Sequence, residues 1–398
     1  MSTLKDKIAN AYKWAVANRP KVNGFPHLAE ARRQAGVFLT TLGINEVQSV
    51  LGFLLLIYAI KSDQLTFIIL SLSALFLALN ISSAVHNAEL IAKRIGPSLG
   101  TLVLALSVTI IEVALIINLM KSNPSTAPTL ARDTVFAAIM IVTNGIAGIS
   151  ILLGGLKHKE LGFQSLGTSS LMAVLTTLSV ITMVLPNYTI TTPGPTYSSA
   201  QLIFVSVFSL LIYFSLVWGQ TRSHKDYFEA ISSDQFQKLE ETEYVPTKAK
   251  AIVSFIALFI SLIVVVGLAK VLSPSISSAI SSIGAPQTTV GIVVALLVLA
   301  PETFAALNSA RANQLQTSFN LALGSGAASI ALTIPVVTIY SIMTNQSLSL
   351  GLDSKSIAFL ALTFIAGSFT FGSGKTTIMH GFVHLIILMS YLVFSFIP

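Results

Sequence analysis

Long apolar stretches recur from residue 37 to the C-terminal end, and no other feature constrains the fold of this chain as strongly. Many of them reach the ~20 residues that a helix needs to cross the hydrocarbon core of a bilayer. Only 10% of the 398 residues are charged, against about a quarter in soluble domains. We therefore predict an all-α polytopic membrane protein and exclude a water-soluble fold.

Charged residues, prolines and glycines divide the apolar stretches into eleven candidate spans. Their approximate ranges are 44–61, 64–83, 98–120, 132–155, 163–186, 199–219, 249–272, 286–309, 316–341, 355–371 and 379–397. With a cytoplasmic N-terminus, 18 of the 23 basic residues fall on the inside and 5 on the outside. This bias predicts a multi-pass protein of the cell membrane with an external C-terminus. It also explains the net charge of +7 without a nucleic-acid partner.

An acidic segment separates spans 2–6 from spans 7–11. Six of the sixteen acidic residues lie between His224 and Tyr244, and the span starts in the two halves are offset by similar amounts. This spacing predicts a duplication, and five spans per copy would invert one copy relative to the other. The predicted parts are a cytoplasmic segment 1–36, a first helix 37–62, a first repeat 63–219, a cytoplasmic acidic loop 220–248 and a second repeat 249–398. Inverted repeats are characteristic of secondary transporters, whose substrate site lies near the membrane midplane.

One carboxylate lies deep in the second span of each predicted repeat. Glu112 and Glu302 are the only acidic residues well inside a span, and each has an asparagine six residues later. A carboxylate in hydrocarbon is costly, so such a residue indicates a functional site unless it is merely a packed, protonated group. Two of them at corresponding repeat positions favour the functional interpretation.

Residues that can supply oxygen ligands lie near both acids in the sequence and in the spans that follow them. Ser107 precedes Glu112. Pro301 predicts a helix break beside the site, because it cannot donate to the carbonyl of Leu297, which is left free to bind a cation. The following spans offer Asn144, Ser325 and Ser329, although small polar residues equally serve helix packing. Carboxylate and carbonyl oxygens suit Ca²⁺, and less selectively Na⁺ or K⁺.

Burial and a second carboxylate both favour the protonated form of an acid, so protons would compete with the cation. The residues therefore predict a cation/proton antiporter whose ligands are the transported ions, with Glu112 and Glu302 as cation ligands and no cofactor. Three alternatives remain: an antiporter selective for Na⁺ or K⁺, an intramembrane enzyme with paired carboxylates, and a channel. Cysteine is absent, so thiolate metal sites and disulfides are excluded.

Three other features have simpler explanations. Residues 372–377 resemble part of a phosphate-binding loop but lack its first glycine. His380 and His384 share a helix face, where a proton-relay or packing role is favoured over a metal site. The acidic segment lacks the pattern of a calcium-binding EF-hand loop, which favours a solvated linker between the two halves.

Residues 100–113, 299–302, 312–324, 328–335 and 371–376 together resemble the ChaA-type bacterial calcium/cation:proton antiporters of the cation/Ca²⁺ exchanger superfamily. The resemblance extends over nearly everything from Val37 onward. It implies an extra first helix, two inverted five-helix repeats, and a cation- or proton-binding role for Glu112 and Glu302, with Asn144 and Ser329 near the polar positions. The wider pattern Gly-Asn-x-x-Glu is missing before both acids, so the resemblance does not select the cation.

Overall fold

The computed structural model describes residues 43–62, 66–95, 97–122, 124–229, 246–282, 284–286 and 288–397. The predicted cytoplasmic segment 1–36 and residues 230–245 of the acidic loop lie outside the described residues. The described part of the chain folds almost entirely into helices, with two short strands.

Eleven long helices form the described part. The first six are α1 (Ile44–Lys61), α2 (Phe67–Ile95), α3 (Pro97–Ser122), α4 (Ala127–His158), α5 (Ser165–Tyr188) and α6 (Ser199–Ser223). The other five are α7 (Lys248–Ser282), α8 (Thr289–Arg311), α9 (Leu315–Thr344), α10 (Ser354–Phe371) and α11 (Ile378–Phe396). Ten of them are long and apolar enough to cross a membrane, as judged on the described residues. The remaining one, α3, has 26 residues and carries Glu112 and Lys121 as its only charged residues.

The prediction of an all-helical membrane protein with about eleven spans is confirmed. The predicted ends agree closely with the structure except in α2 and α7, which have 29 and 35 residues and run well past residues 83 and 272. The sequence analysis ended the α2 span at residue 83, before the polar residues Asn87 and Glu89. In the structure the Asn87 side chain donates to the Ser83 carbonyl at 2.8 Å, so the helix itself satisfies a buried amide donor. Pro274 lies inside α7 without ending it.

Several helix ends carry the side chains that physical chemistry favours there. Ser198 precedes α6 and forms a capping box with Gln201. Asp353 precedes α10, and its carboxylate accepts from the backbone N–H of Ser356 at 3.1 Å. Asn345 ends α9 in the left-handed conformation, with φ of 51°. The first two caps fix where α6 and α10 begin, and the third fixes where α9 ends.

The connections meet in pairs at the two ends of the bundle. At one end β1 (Glu160–Gly162), between α4 and α5, pairs antiparallel with β2 (Lys375–Thr377), between α10 and α11. At another point Thr196, before α6, pairs with Ser349, before α10. The strand β2 belongs to the stretch that resembled a phosphate loop, and here it serves as a short sheet edge. Each pairing joins connections that the basic-residue count predicts on the same side of the membrane.

Helix α4 is the most buried of the ten measured spans and contains a π-helical turn, Ile141–Ile146. Helix α9 is the next most buried. Helix α1 packs outside this centre against α2 and α7, where the Ser49 hydroxyl lies 2.9 Å from Ser83 Oγ and 2.7 Å from Ser261 Oγ. The interior is therefore built around α4 and α9, which follow the helices that carry the two acids.

Candidate ion-binding site

One cavity contains both predicted acids. It has a volume of about 150 Å³ and lies between α3, α6, α8 and α9, with Ala138 of α4 at its wall. Glu112 enters it from α3 and Glu302 from α8, and both side chains are buried, with 3% and 8% of their surface exposed. The structure thus brings together two carboxylates that are 190 positions apart in the sequence.

Glu112 is held by a hydroxyl from α9. Ser329 Oγ donates to Glu112 Oε1 at 2.6 Å. Thr333, one helical turn further along α9, places a second hydroxyl close to the same carboxylate, although no well-aligned hydrogen bond forms. Donors to a carboxylate favour its ionised form, so α9 prepares Glu112 to carry charge.

Glu302 has a different environment. Its Oε2 atom is buried and has no hydrogen-bond partner among the described residues. The Glu112 carboxylate is close enough to repel it, and so is Glu89 from α2. A buried polar atom without a partner requires an explanation such as an absent ion, water or proton. Glu302 is therefore the acid that most needs a bound positive charge.

Regular helix spacing explains which predicted residues reach the cavity. The residues of α8 that line it are Ala295, Val298, Leu299 and Glu302, a single face at spacings of three and four. Pro301 and Leu297 lie off this face and outside the cavity lining. The predicted helix break at Pro301 is wrong: α8 continues through it, because the loss of one N–H donor does not end a helix that packs against its neighbours.

The four predicted polar residues divide into two groups. Ser325 and Ser329 share one face of α9 and line the cavity with Thr109 of α3. Ser107 is buried in α3 but lies outside the cavity lining. Asn144 is also outside the lining, and its amide contacts Thr363 and His384.

The two histidines do not form a metal site. His384 is fully buried and bonded to Asn144 and Thr370, whereas His380 lies near Thr377 at the start of α11. Among the described residues, no group of three or more His, Asp or Glu side chains is arranged to hold a metal ion. The hydroxyl groups of Thr109, Ser325 and Ser329 line the cavity that holds the two carboxylates.

Two further polar residues lie at the site. Asn320 lines the cavity, and its Nδ2 donates to the Phe228 carbonyl at 2.6 Å, which fastens the start of the acidic loop beside the site. Its place in the polar stretch of α9 is the sequence signal that could have selected it. Glu89 of α2 is partly exposed and carries a negative charge near Glu302. Glu89 does not interrupt an apolar stretch in the way Glu112 does, so the sequence gave no signal for it.

A sequence model of the sodium/calcium exchanger protein family matches residues 48–222 and 253–397. The chain belongs to this family. Its members are secondary transporters, so the chain is a cation antiporter in a membrane, and the alternative of an intramembrane enzyme is excluded.

Two relatives match most of the chain. The putative ionic transporter y4hA of Sinorhizobium fredii is 40% identical over 331 residues, which are 83% of this chain and 89% of the relative. The sodium-potassium/proton antiporter ChaA of Escherichia coli is 33% identical over 346 residues, or 86% and 93%. The solved structure of YfkE, at 18% identity, covers 89% of this chain and all of its own with a TM-score of 0.68. That likeness supports the fold.

Proposed function

We propose that this exchanger moves cytoplasmic Ca²⁺, or alternatively Na⁺ or K⁺, out of the cell in exchange for protons by alternating access. The observation that carries the proposal is the pair of buried carboxylates, Glu112 and Glu302, in one cavity. An empty and doubly ionised pair is too costly in hydrocarbon, so it reorients only when neutralised. Either a cation or protons can neutralise it.

The two ionic species compete for the same oxygen atoms. A cation would bind the ionised carboxylates, with Thr109, Ser325 and Ser329 as hydroxyl ligands on the cavity wall. Protons arriving from the other side would neutralise the carboxylates and release the cation. Glu302, with its unpartnered Oε2, would gain most from either event. Coupling follows because cation and proton exclude each other.

The predicted inverted repeats give this site its two-sided access. We assign α2–α6 and α7–α11 to the two repeats and treat α1 as an added helix. Glu112 then lies on the second helix of one repeat and Glu302 on the second helix of the other. With the N-terminus inside the cell and the C-terminus outside, α3 and α8 cross the cell membrane in opposite directions. Both acids meet near the midplane, as transporter sites of this type do.

Calcium is the first choice of cation because two carboxylates match its two charges. YfkE is described as a Ca²⁺/H⁺ antiporter, which is compatible with that choice. A second candidate function, exchange of Na⁺ or K⁺, is favoured by the name of the Escherichia coli relative, a sodium-potassium/proton antiporter. Apart from the amides of Asn320 and Gln220, the polar side chains that line the cavity offer hydroxyl and carboxylate oxygens. Both Ca²⁺ and the monovalent cations Na⁺ and K⁺ accept such ligands.

The test is proton flux in proteoliposomes loaded with a pH-sensitive dye, with Ca²⁺, Na⁺ and K⁺ supplied separately. Removing one charge from the pair, as in Glu112→Gln or Glu302→Gln, should lower cation-driven proton flux by about 100-fold or more, because the remaining carboxylate cannot neutralise the cation. Glu160→Gln, which alters an exposed carboxylate at the end of the bundle, is the matched control and should retain full activity. Coupled flux that persists in both cavity variants would contradict the proposal.

A further inference from the structure

A second cluster of buried polar side chains lies outside the cavity, where α4, α10 and α11 meet. Asn144 Nδ2 donates to Thr363 Oγ1 at 2.9 Å, and Asn144 Oδ1 lies 2.8 Å from His384 Nδ1. His384 Nε2 lies 3.0 Å from Thr370 Oγ1. All four side chains are buried, and none of them lines the cavity.

The contacts define the orientation of each group. Because the Asn144 amide nitrogen donates to Thr363, its oxygen is left as an acceptor for His384 Nδ1–H. The other ring nitrogen, Nε2, lies 3.0 Å from the Thr370 hydroxyl, which also donates to the Ala366 carbonyl at 3.0 Å. The ring thus bridges α4 and α10 with both nitrogens used, and it fixes the Asn144 side chain.

Asn144 lies within the π-helical turn Ile141–Ile146 of α4. A π turn carries one more residue than an α turn, is rare, and is frequently found at functional sites. It persists where surrounding contacts hold it, and its loss would rotate the rest of the helix. The clamp formed by Asn144, Thr363, Thr370 and His384 supplies such contacts, since it ties the turn to two neighbouring helices.

The clamp and Glu302 are at the same depth in the bundle. Helix α8 passes α4 closely at Gly291, where an added Cβ would be 2.7 Å from the backbone of Asp133 and Thr134. The two helices approach again where the Ala310 carbonyl lies 3.6 Å from the Cβ position of Gly154. Glu302 lies between the two contacts on α8, and the π turn lies between them on α4.

Two oxygen atoms in this layer have no hydrogen-bond partner among the described residues. They are Glu302 Oε2 on α8 and Thr143 Oγ1, which is next to Asn144 in the π turn. The register of the turn decides which α4 side chains face α8 at this depth. Any residue that holds the register therefore acts on the Glu302 half of the site.

We propose that His384 is a positioning residue of the exchange site: it fixes Asn144 and the π turn of α4, and thereby sets cation affinity and selectivity at Glu302. The inference rests on the proposed function of Glu302 as a cation ligand. His384 itself does not touch the cation. Residues that hydrogen-bond to metal ligands, and so orient them, act in the same way, and their removal lowers the affinity for the metal.

The test compares His384→Leu, which removes both ring nitrogens, with His384→Asn, which can still donate to Asn144. Dye-loaded proteoliposomes give the apparent KM and the maximal rate for Ca²⁺ and for Na⁺. We expect His384→Leu to raise the KM of the better cation by about 10- to 100-fold, with a small change in maximal rate and an altered Ca²⁺/Na⁺ ratio. His384→Asn should restore most of the affinity.

His380→Leu is the matched control, because His380 lies one turn earlier on α11 and outside the clamp. It should leave both KM values unchanged. If His384→Leu does not yield folded protein, Thr363→Val removes the other contact of Asn144 and should shift KM in the same direction. Unchanged KM values in the clamp variant, or an equal change in His380→Leu, would overturn the inference.

Failure of the proposed function gives a different result. If the wild type exchanges cations and Glu302→Gln does not, while His384→Leu behaves as the wild type, only the positioning role of His384 is wrong. If Glu302→Gln exchanges normally, the proposed site is wrong, and the positioning inference is overturned with it.

Discussion

At the scale of single residues, the two acids of the cavity are not equivalent. Glu112 receives a 2.6 Å hydrogen bond from Ser329, whereas Glu302 Oε2 has no partner in the described part of the chain. Donors stabilise an ionised carboxylate, and an unpartnered buried oxygen destabilises it. We infer that Glu112 is the acid more ready to meet the cation and Glu302 the acid more ready to hold a proton.

Ser329→Ala tests this difference. The substitution removes a charge-assisted hydrogen bond to Glu112, which is worth about 1.5–3 kcal/mol, so the KM for the cation should rise by about 10-fold or more. Cation-dependent proton flux in proteoliposomes measures the change. Ser341→Ala removes another buried hydroxyl of α9, bonded to the Gln346 carbonyl away from the site, and should leave the KM unchanged. Equal KM values in both variants would contradict a role for Ser329.

Part of the candidate site could be predicted from the sequence, residue by residue. Glu112 and Glu302 stand out because a charge interrupts an apolar stretch, and helix spacing then places Ser325 and Ser329 on one face of α9. The direction of Asn144 could not be predicted, because its amide lies in a π turn, whose spacing differs from that of an α-helix. As cation ligands, all five residues remain predictions.

At the scale of elements, helix positions were predictable from apolar length, but helix ends were not. Helix α2 continues past its polar residues, some of which bond within the helix and others to neighbouring helices. The Ser83 hydroxyl, for example, donates to the Asn45 carbonyl at 2.8 Å, on a different helix. The serines Ser49, Ser83 and Ser261, shared between α1, α2 and α7, hold α1 against the bundle.

An ion pair between Glu46 and Lys250 joins α1 to α7. Glu46 is 2% exposed and also accepts from the Gly43 N–H at 2.7 Å, at the start of α1. Glu46→Gln removes the buried negative charge that faces the Lys250 ammonium, and we expect a loss of about 3 kcal/mol in unfolding free energy, seen as a lower melting temperature in detergent.

Two further variants separate the charge from the packing. Glu46→Leu combined with Lys250→Met should recover stability, since well-packed apolar residues can replace a buried ion pair. Lys375→Gln breaks the exposed pair with Glu160 and should change the melting temperature little. A Glu46→Gln protein as stable as the Lys375→Gln protein would show that the ion pair does not hold α1.

At the scale of the whole molecule, the direction of exchange depends on which end of the bundle faces the cytoplasm. The structure gathers the connections into pairs, such as β1 with β2 and Thr196 with Ser349. Those pairs agree with eleven alternating spans. Only the distribution of basic residues, however, predicts that the β1–β2 end is inside.

Helix α6 offers a direct test of this orientation, because the chain has no cysteine and a single introduced thiol reacts without background. Ile190, before α6, is 99% exposed, and Ser223 at the other end is also exposed. In intact cells a membrane-impermeant maleimide should label Ile190→Cys at once and Ser223→Cys only after permeabilisation. The opposite pattern would reverse the predicted orientation, and labelling of both thiols in intact cells would mean that α6 does not cross the membrane. The expected pattern places the segment that Asn320 fastens beside the cavity on the cytoplasmic side, where the exported cation must enter.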